Sequence, residues 1–158
     1  MNHQDFMQEA MAEARQAYKK NEVPIGAIIV QHGKIIARAH NLREALQKTA
    51  AHAEMLAISR ANEETGFWRL DGSTLYTTVE PCMMCAGSIV QARIKTVVYG
   101  VQDQKAGCGG TIFNLLKEPR FNHQCEVIGG VLETECRELM RQFFKELRKK
   151  KKVDPAEI

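Results

Sequence analysis

Two short strings constrain this chain more than anything else in it: His52-Ala53-Glu54 and, further on, Pro81-Cys82-Met83-Met84-Cys85. Cys82 and Cys85 stand at i and i+3, neighbours on one helix face and able to grip one ion together. Pro81 suits the first turn of such a helix, where its missing N–H costs nothing. Thiolates at a helix start also gain from the helix dipole, which lowers their pKa and readies them for a metal. His52 and Glu54 are i and i+2, about 200° apart on a regular helix, so from a helix interior they cannot face one site. From a helix start they can, because side chains there converge on the space ahead of the free N–H groups. The polar lead-in through Gln47, Lys48 and Thr49 allows that start. Any fold of this chain that uses both strings must therefore aim two helix N-termini at one point.

One imidazole and two thiolates leave a tetrahedral zinc its fourth position for water, the mark of a catalytic site rather than a structural one. Zinc lowers the pKa of that water from 15.7 toward about 7, giving hydroxide at neutral pH. Glu54, unligated, would take the proton of that water and hand it on as the reaction proceeds. Other readings of the same residues exist. A lone C-x-x-C can be a redox pair or half of a structural zinc site, and Cys82 and Cys85 could join Cys108 and Cys125 in a four-cysteine site. That last arrangement leaves His52 and Glu54 without a role, and the two strings together favour catalysis. Cys108, Cys125 and Cys136 then read as ordinary small side chains, and His3, His32, His40 and His123 as surface or packing residues.

A length of 158 residues is one domain, large enough to bury a core without disulfides. A hydrophobic share of 44% and a charged share of 26% are those of an ordinary globular protein. No run of about 18 apolar residues exists to span a membrane. Asp5, Glu9 and Glu13 interrupt the N-terminal region, which carries no secretion signal. Five cysteines, an odd count with two in metal spacing, argue against a disulfide framework and for the cytoplasm. The net charge of +3 sits wholly at the C-terminus: residues 145–158 hold six basic side chains against three acidic, leaving 16 of each sign in residues 1–144. That cluster is either a solvated helix end or an arm that contacts phosphates.

Phe6, Met7, Ala10, Met11, Ala14, Ala17 and Tyr18 recur at helical spacing and predict a first helix from Gln4 to Lys20. Apolar runs 25–30 and 35–39 around Gly33 predict a β-hairpin. A polar connection over 41–51 leads to a helix from His52 to just before Gly66. A strand over 73–79, a helix over 82–92 and a strand over 96–100 follow. Residues 101–125 read as a long ordered loop with one helical turn, and loops of that length in a compact domain usually carry function. A fifth strand over 127–131 and a final amphipathic helix over 133–150 complete the pattern. Alternating helices and strands suggest a sheet covered on both faces.

The H-x-E and P-C-x-x-C pair is an established signature of zinc nucleobase deaminases, and the resemblance extends from Asp5 to Lys152. Glu22-Val23-Pro24-Ile25-Gly26-Ala27, Ala39-His40-Asn41, Asn114-Leu115-Leu116, Phe121-Asn122-His123, the paired Phe143-Phe144 and the basic last helix resemble bacterial tRNA-specific adenosine deaminases of the cytidine-deaminase-like superfamily. The resemblance implies a three-layer α/β/α sandwich with a five-stranded mixed sheet, one Zn2+ per subunit, and a homodimer. It implies one deaminase domain over residues 1–152 with a short tail over 153–158. The implied activity is hydrolytic conversion of adenosine to inosine at the wobble position of a tRNA anticodon, typically of an arginine tRNA. By position, His52, Cys82 and Cys85 would bind zinc and Glu54 would be the acid and base. Asn41 would contact the flipped base with Ile25 lining the pocket; Asp103 and Lys105 would touch sugar and phosphate; Phe144 and Arg148 would reach flanking nucleotides. The chain departs from the family pattern at Thr77-Thr78-Val79, at Gln102 and Gln104, and at Gly109. Two rival readings are a small-molecule deaminase of the same superfamily, acting on guanine, cytosine or a nucleoside, and a non-catalytic zinc-stabilised RNA-binding subunit.

Overall fold

The computed structural model describes residues 1–153. At its centre lies one five-stranded sheet in the order β2-β1-β3-β4-β5. Its strands are β1 (Gly26–Gln31), β2 (Lys34–His40), β3 (Thr74–Val79), β4 (Thr96–Val101) and β5 (Glu126–Ile128). β1 is antiparallel to both β2 and β3, whereas β3, β4 and β5 run parallel. The sheet is mixed because a two-residue turn can reverse a strand, while parallel neighbours need a crossover. That turn is His32-Gly33, with φ of 52° and 74°, the pair of left-handed residues a type I′ hairpin requires.

Side chains alternate along a strand, and the cross-strand rows divide accordingly. Ile28, Tyr76 and Val98 face Phe6, Met7, Ala10 and Met11 of α1 (His3–Lys19) and Cys136 of α5 (Glu133–Val153). Ile29, Leu75 and Val97 face Ala53 and Ala57 of α3 (Ala53–Thr65) and Ala86 and Ile89 of α4 (Met83–Gln91). The result is the three-layer α/β/α sandwich. α1 is fixed at its start by reciprocal bonds between Asn2 and Asp5, each 2.9 Å. It lies close on β1 because residue 26 is glycine: a Cβ there would meet the Ala10 carbonyl and the Ala14 amide.

Three segments differ from the sequence reading. The polar connection over 41–51 contains a short helix, α2 (Arg43–Leu46). Its free N–H groups are held by the buried Glu22 carboxylate, which accepts from Glu44 N at 3.0 Å and Ala45 N at 2.7 Å. β5 has three residues and stops at Ile128, since Gly129 packs against the Tyr99 ring and Gly130 turns the chain at φ 85°. α5 runs through Val153, three residues past the expected end at 150, and the tail expected over 153–158 lies, from 154 on, outside the described residues. Among the described residues no helix is long and apolar enough to cross a membrane.

Candidate active site

His52 and Cys82 are the N-cap residues of α3 and α4, with extended backbones at φ −77°, ψ 151° and φ −76°, ψ 179°. An N-cap side chain ordinarily accepts a bond from its own helix; here neither does. The two instead turn toward each other. His52 Nδ1 stands 3.6 Å from Cys82 Sγ and 3.5 Å from Cys85 Sγ. A tetrahedral zinc, bound at about 2.3 Å to sulfur and about 2.0 Å to nitrogen, holds such donors about 3.5 Å apart. Donor type and spacing both fit zinc. Among the described residues these three form the group able to hold a metal, with ligand atoms within 4.8 Å of one another. Cys108 and Cys125 lie outside it, which sets the four-cysteine reading aside. Cys125 Sγ bonds the Ile94 carbonyl at 3.3 Å, and all five cysteines are free thiols. Pro81 precedes the N-cap and is therefore outside the first turn, contrary to expectation; its carbonyl accepts from Cys108 N at 2.8 Å.

Glu54 is the second residue of α3 and only 4% exposed. It is beside the metal triad without belonging to it, as a proton carrier requires. Burial pushes its carboxyl up to about 7. The Cys82 thiol is held down to about 4 by a hydrogen bond from Cys85 and, less, by one from His52. The Cys85 thiol is pushed up by that same bond and by burial, and the bond to Cys82 raises His52. The Cys82 sulfur thus favours the thiolate at the start of α4, where the helix dipole also favours it.

A cavity of about 200 Å³ opens over the triad, lined by His52, Glu54 and Cys82 with Ile25, Asn41 and Asp103 around them. A shallower groove of about 590 Å³ shares Ile25 and Asp103 and continues to Lys105, Arg137 and Phe144. The structure thereby brings together eight of the ten residues singled out from sequence within one path; Cys85 lies beneath it in the metal group, and Arg148 lines neither cavity. Phe143 packs inward at 7% exposure while Phe144 is 37% exposed. Asn41 is buried, its amide donating to the Val23 carbonyl at 3.3 Å and its oxygen accepting from Arg43 N at 3.1 Å. A cavity of similar size to the groove, about 620 Å³ around Phe67 and Trp68, contains none of the groups that do chemistry.

Sequence reasoning missed Arg43, Glu80 and Ala106, which also line the inner cavity. Glu80 adjoins Pro81 and carried a signal in its position; Arg43 and Ala106 reach the cavity only through tertiary folding.

The sequence pattern of the MafB19-like deaminases matches residues 1–148. A tRNA-specific adenosine deaminase of Bacillus subtilis is 59% identical over 148 residues, covering 94% of this chain and 92% of that protein. One from Aquifex aeolicus is 45% identical, covering 94% and 97%. A solved structure from a study of A-to-I editing by tRNA:A34 deaminases at the wobble position superimposes with a TM-score of 0.82 at 42% identity, over 85% of this chain and 98% of that one. A guanine deaminase from Bacillus subtilis superimposes less closely, with a TM-score of 0.64 at 38% identity over 70% and 71%.

Proposed function

Since the chain belongs to the MafB19-like deaminase family and, within it, to the tRNA-specific adenosine deaminases, we propose how its own residues turn adenosine into inosine at the wobble position of a tRNA anticodon. His52, Cys82 and Cys85 hold one zinc ion. Zinc bound there lowers the pKa of water toward about 7 and so supplies a nucleophile at neutral pH. Glu54 takes a proton from the attacking water and delivers it to N1 of the adenine as oxygen adds at C6. It then carries the second proton to the amino group, the C6–N bond breaks, and ammonia leaves. A carboxyl that is buried beside the metal ligands without joining them is placed both to accept and to return a proton.

The remaining residues bind and orient. Asn41 offers a donor and an acceptor to the base edge, and Ile25 packs against its face. Asp103 and Lys105 meet the sugar and phosphate of the target nucleotide, and Phe144 and Arg148 meet its neighbours, by stacking and by charge. In this reading residues 1–152 act as one deaminase domain on an arginine tRNA in the cytoplasm, a compartment that suits five free thiols. The chain works as a homodimer, and the exposed Met83, Ile112 and Phe113 offer apolar side chains to a second copy.

The observation that carries the mechanism is the 3.5–3.6 Å spacing of His52 from both sulfurs with Glu54 outside the triad. The test is deamination of an arginine anticodon stem-loop with adenosine at the wobble position, beside free adenosine, cytidine and guanine. Inosine in the stem-loop alone is expected. Turnover of a free base instead would move the chain to the small-molecule deaminases.

A further inference from the structure

Glu80 is 2% exposed, and a buried carboxylate is tolerated only when its oxygens are hydrogen-bonded. Among the described residues no cation pairs with it. Four donors from a single loop surround it instead. Oε1 accepts from Asp103 N at 3.1 Å and from the Thr111 hydroxyl; Oε2 accepts from Gly109 N at 2.9 Å and Thr111 N at 3.1 Å. The loop after β4 is thus wound around one side chain. Gly107 makes room for it, since a Cβ there would stand 2.5 Å from Glu80 Cδ and 2.6 Å from Oε1. The same carboxylate lines the inner cavity with Asp103 and Ala106. Asp103 Oδ1 in turn accepts from Lys105 N at 3.0 Å and Ala106 N at 3.1 Å. An unbroken line of bonds therefore runs from buried Glu80, through the Asp103 backbone, to the residues at the cavity mouth.

We propose that Glu80 is the positioning residue of the target-nucleotide pocket, setting residues 102–111 as its wall and acting on substrate binding through Asp103. The proposal rests on the reading of Asp103 as a contact to the nucleotide. Glu80 stands two residues before the metal ligand Cys82, yet its side-chain bonds all go to the loop and none to α4. Gathering several N–H groups at one point is work for an acceptor-only group with two oxygens, which an apolar residue or an amide cannot do.

The amide makes the idea testable. Glutamine has one carbonyl oxygen, and its NH₂ must face one of the two donor pairs. At the Oε2 position it would oppose two backbone N–H groups; at the Oε1 position it can donate to the Thr111 hydroxyl and opposes only Asp103 N. Glu80→Gln should therefore release Asp103 and leave Gly109 and Thr111 in place.

Glu80→Gln, Asp103→Ala and the double variant are measured with the anticodon stem-loop, together with zinc content and amide proton shifts of the full-length protein. Expected for Glu80→Gln are one zinc per chain, KM raised about tenfold, kcat within about threefold, and an upfield move of the Asp103 amide alone. In the Asp103→Ala background the same change should add less than about twofold, because residues acting through one another are not additive. Thr111→Val, which removes one donor from Oε1, should raise KM about twofold and keeps the test open if Glu80→Gln does not fold. Unchanged KM in both Glu80→Gln and Thr111→Val, fully additive losses, or a fall in kcat with loss of zinc each overturns the proposal while leaving Asp103 as a nucleotide ligand. A silent Asp103→Ala removes that role, and the positioning role with it.

Discussion

His52, Cys82 and Cys85 are held by the first residues of two helices packed under the sheet, whereas Lys105, Phe144 and Arg148 project from a loop and a helix flank into solvent. The metal end is narrow and its distances match those of a coordination sphere. The outer end is open, and in the proposed reading its side chains meet RNA one by one. Chemistry at a bond demands a fixed geometry, which buried helix starts supply; grip on a polyanion is a sum of separate interactions and survives the removal of any one. The inner residues should therefore fail all-or-none and the outer ones by degrees.

Removing a ligand is the harshest break. His52→Ala should lose zinc and with it all measurable turnover, seen by metal analysis beside the stem-loop assay; full activity with zinc retained would dissolve the distinction. At the outer end, Phe144→Ala should raise KM for the stem-loop about tenfold with little change in kcat, the worth of one stacked base. Smallest is the charge term. Changing Lys149, Lys150 and Lys151 to Gln should weaken RNA binding modestly at physiological salt and flatten the log–log salt dependence by about one unit for each phosphate no longer neutralised. An unchanged slope would return that basic run to a plain solvated helix end.

The same contrast explains how much could be read from residues alone. The metal end was legible because helix starts are local: H-x-E and P-C-x-x-C place their ligands by spacing, and both N-caps fall where those strings predict. The hairpin, the five strands and the two-faced sheet followed from apolar periodicity for the same reason. Less legible was whatever depends on a distant partner. α2 exists because Glu22 caps it from across the chain. The loop over 102–111 takes its shape from Glu80, more than 20 residues earlier. Arg148 shows the opposite limit: its place in the final helix was plain, yet the structure lines neither cavity with it. Pro81 lay one position outside its expected turn, since the ligand Cys82 itself became the cap.

In this mechanism Glu54 moves the protons while the triad and the outer residues bind independently of it. Glu54→Ala, assayed for zinc, stem-loop affinity and single-turnover deamination in one preparation, tests it most directly. One zinc per chain, unchanged RNA affinity and a rate lower by about 10³-fold or more are expected. Inosine formed at the unaltered rate by that variant would contradict it.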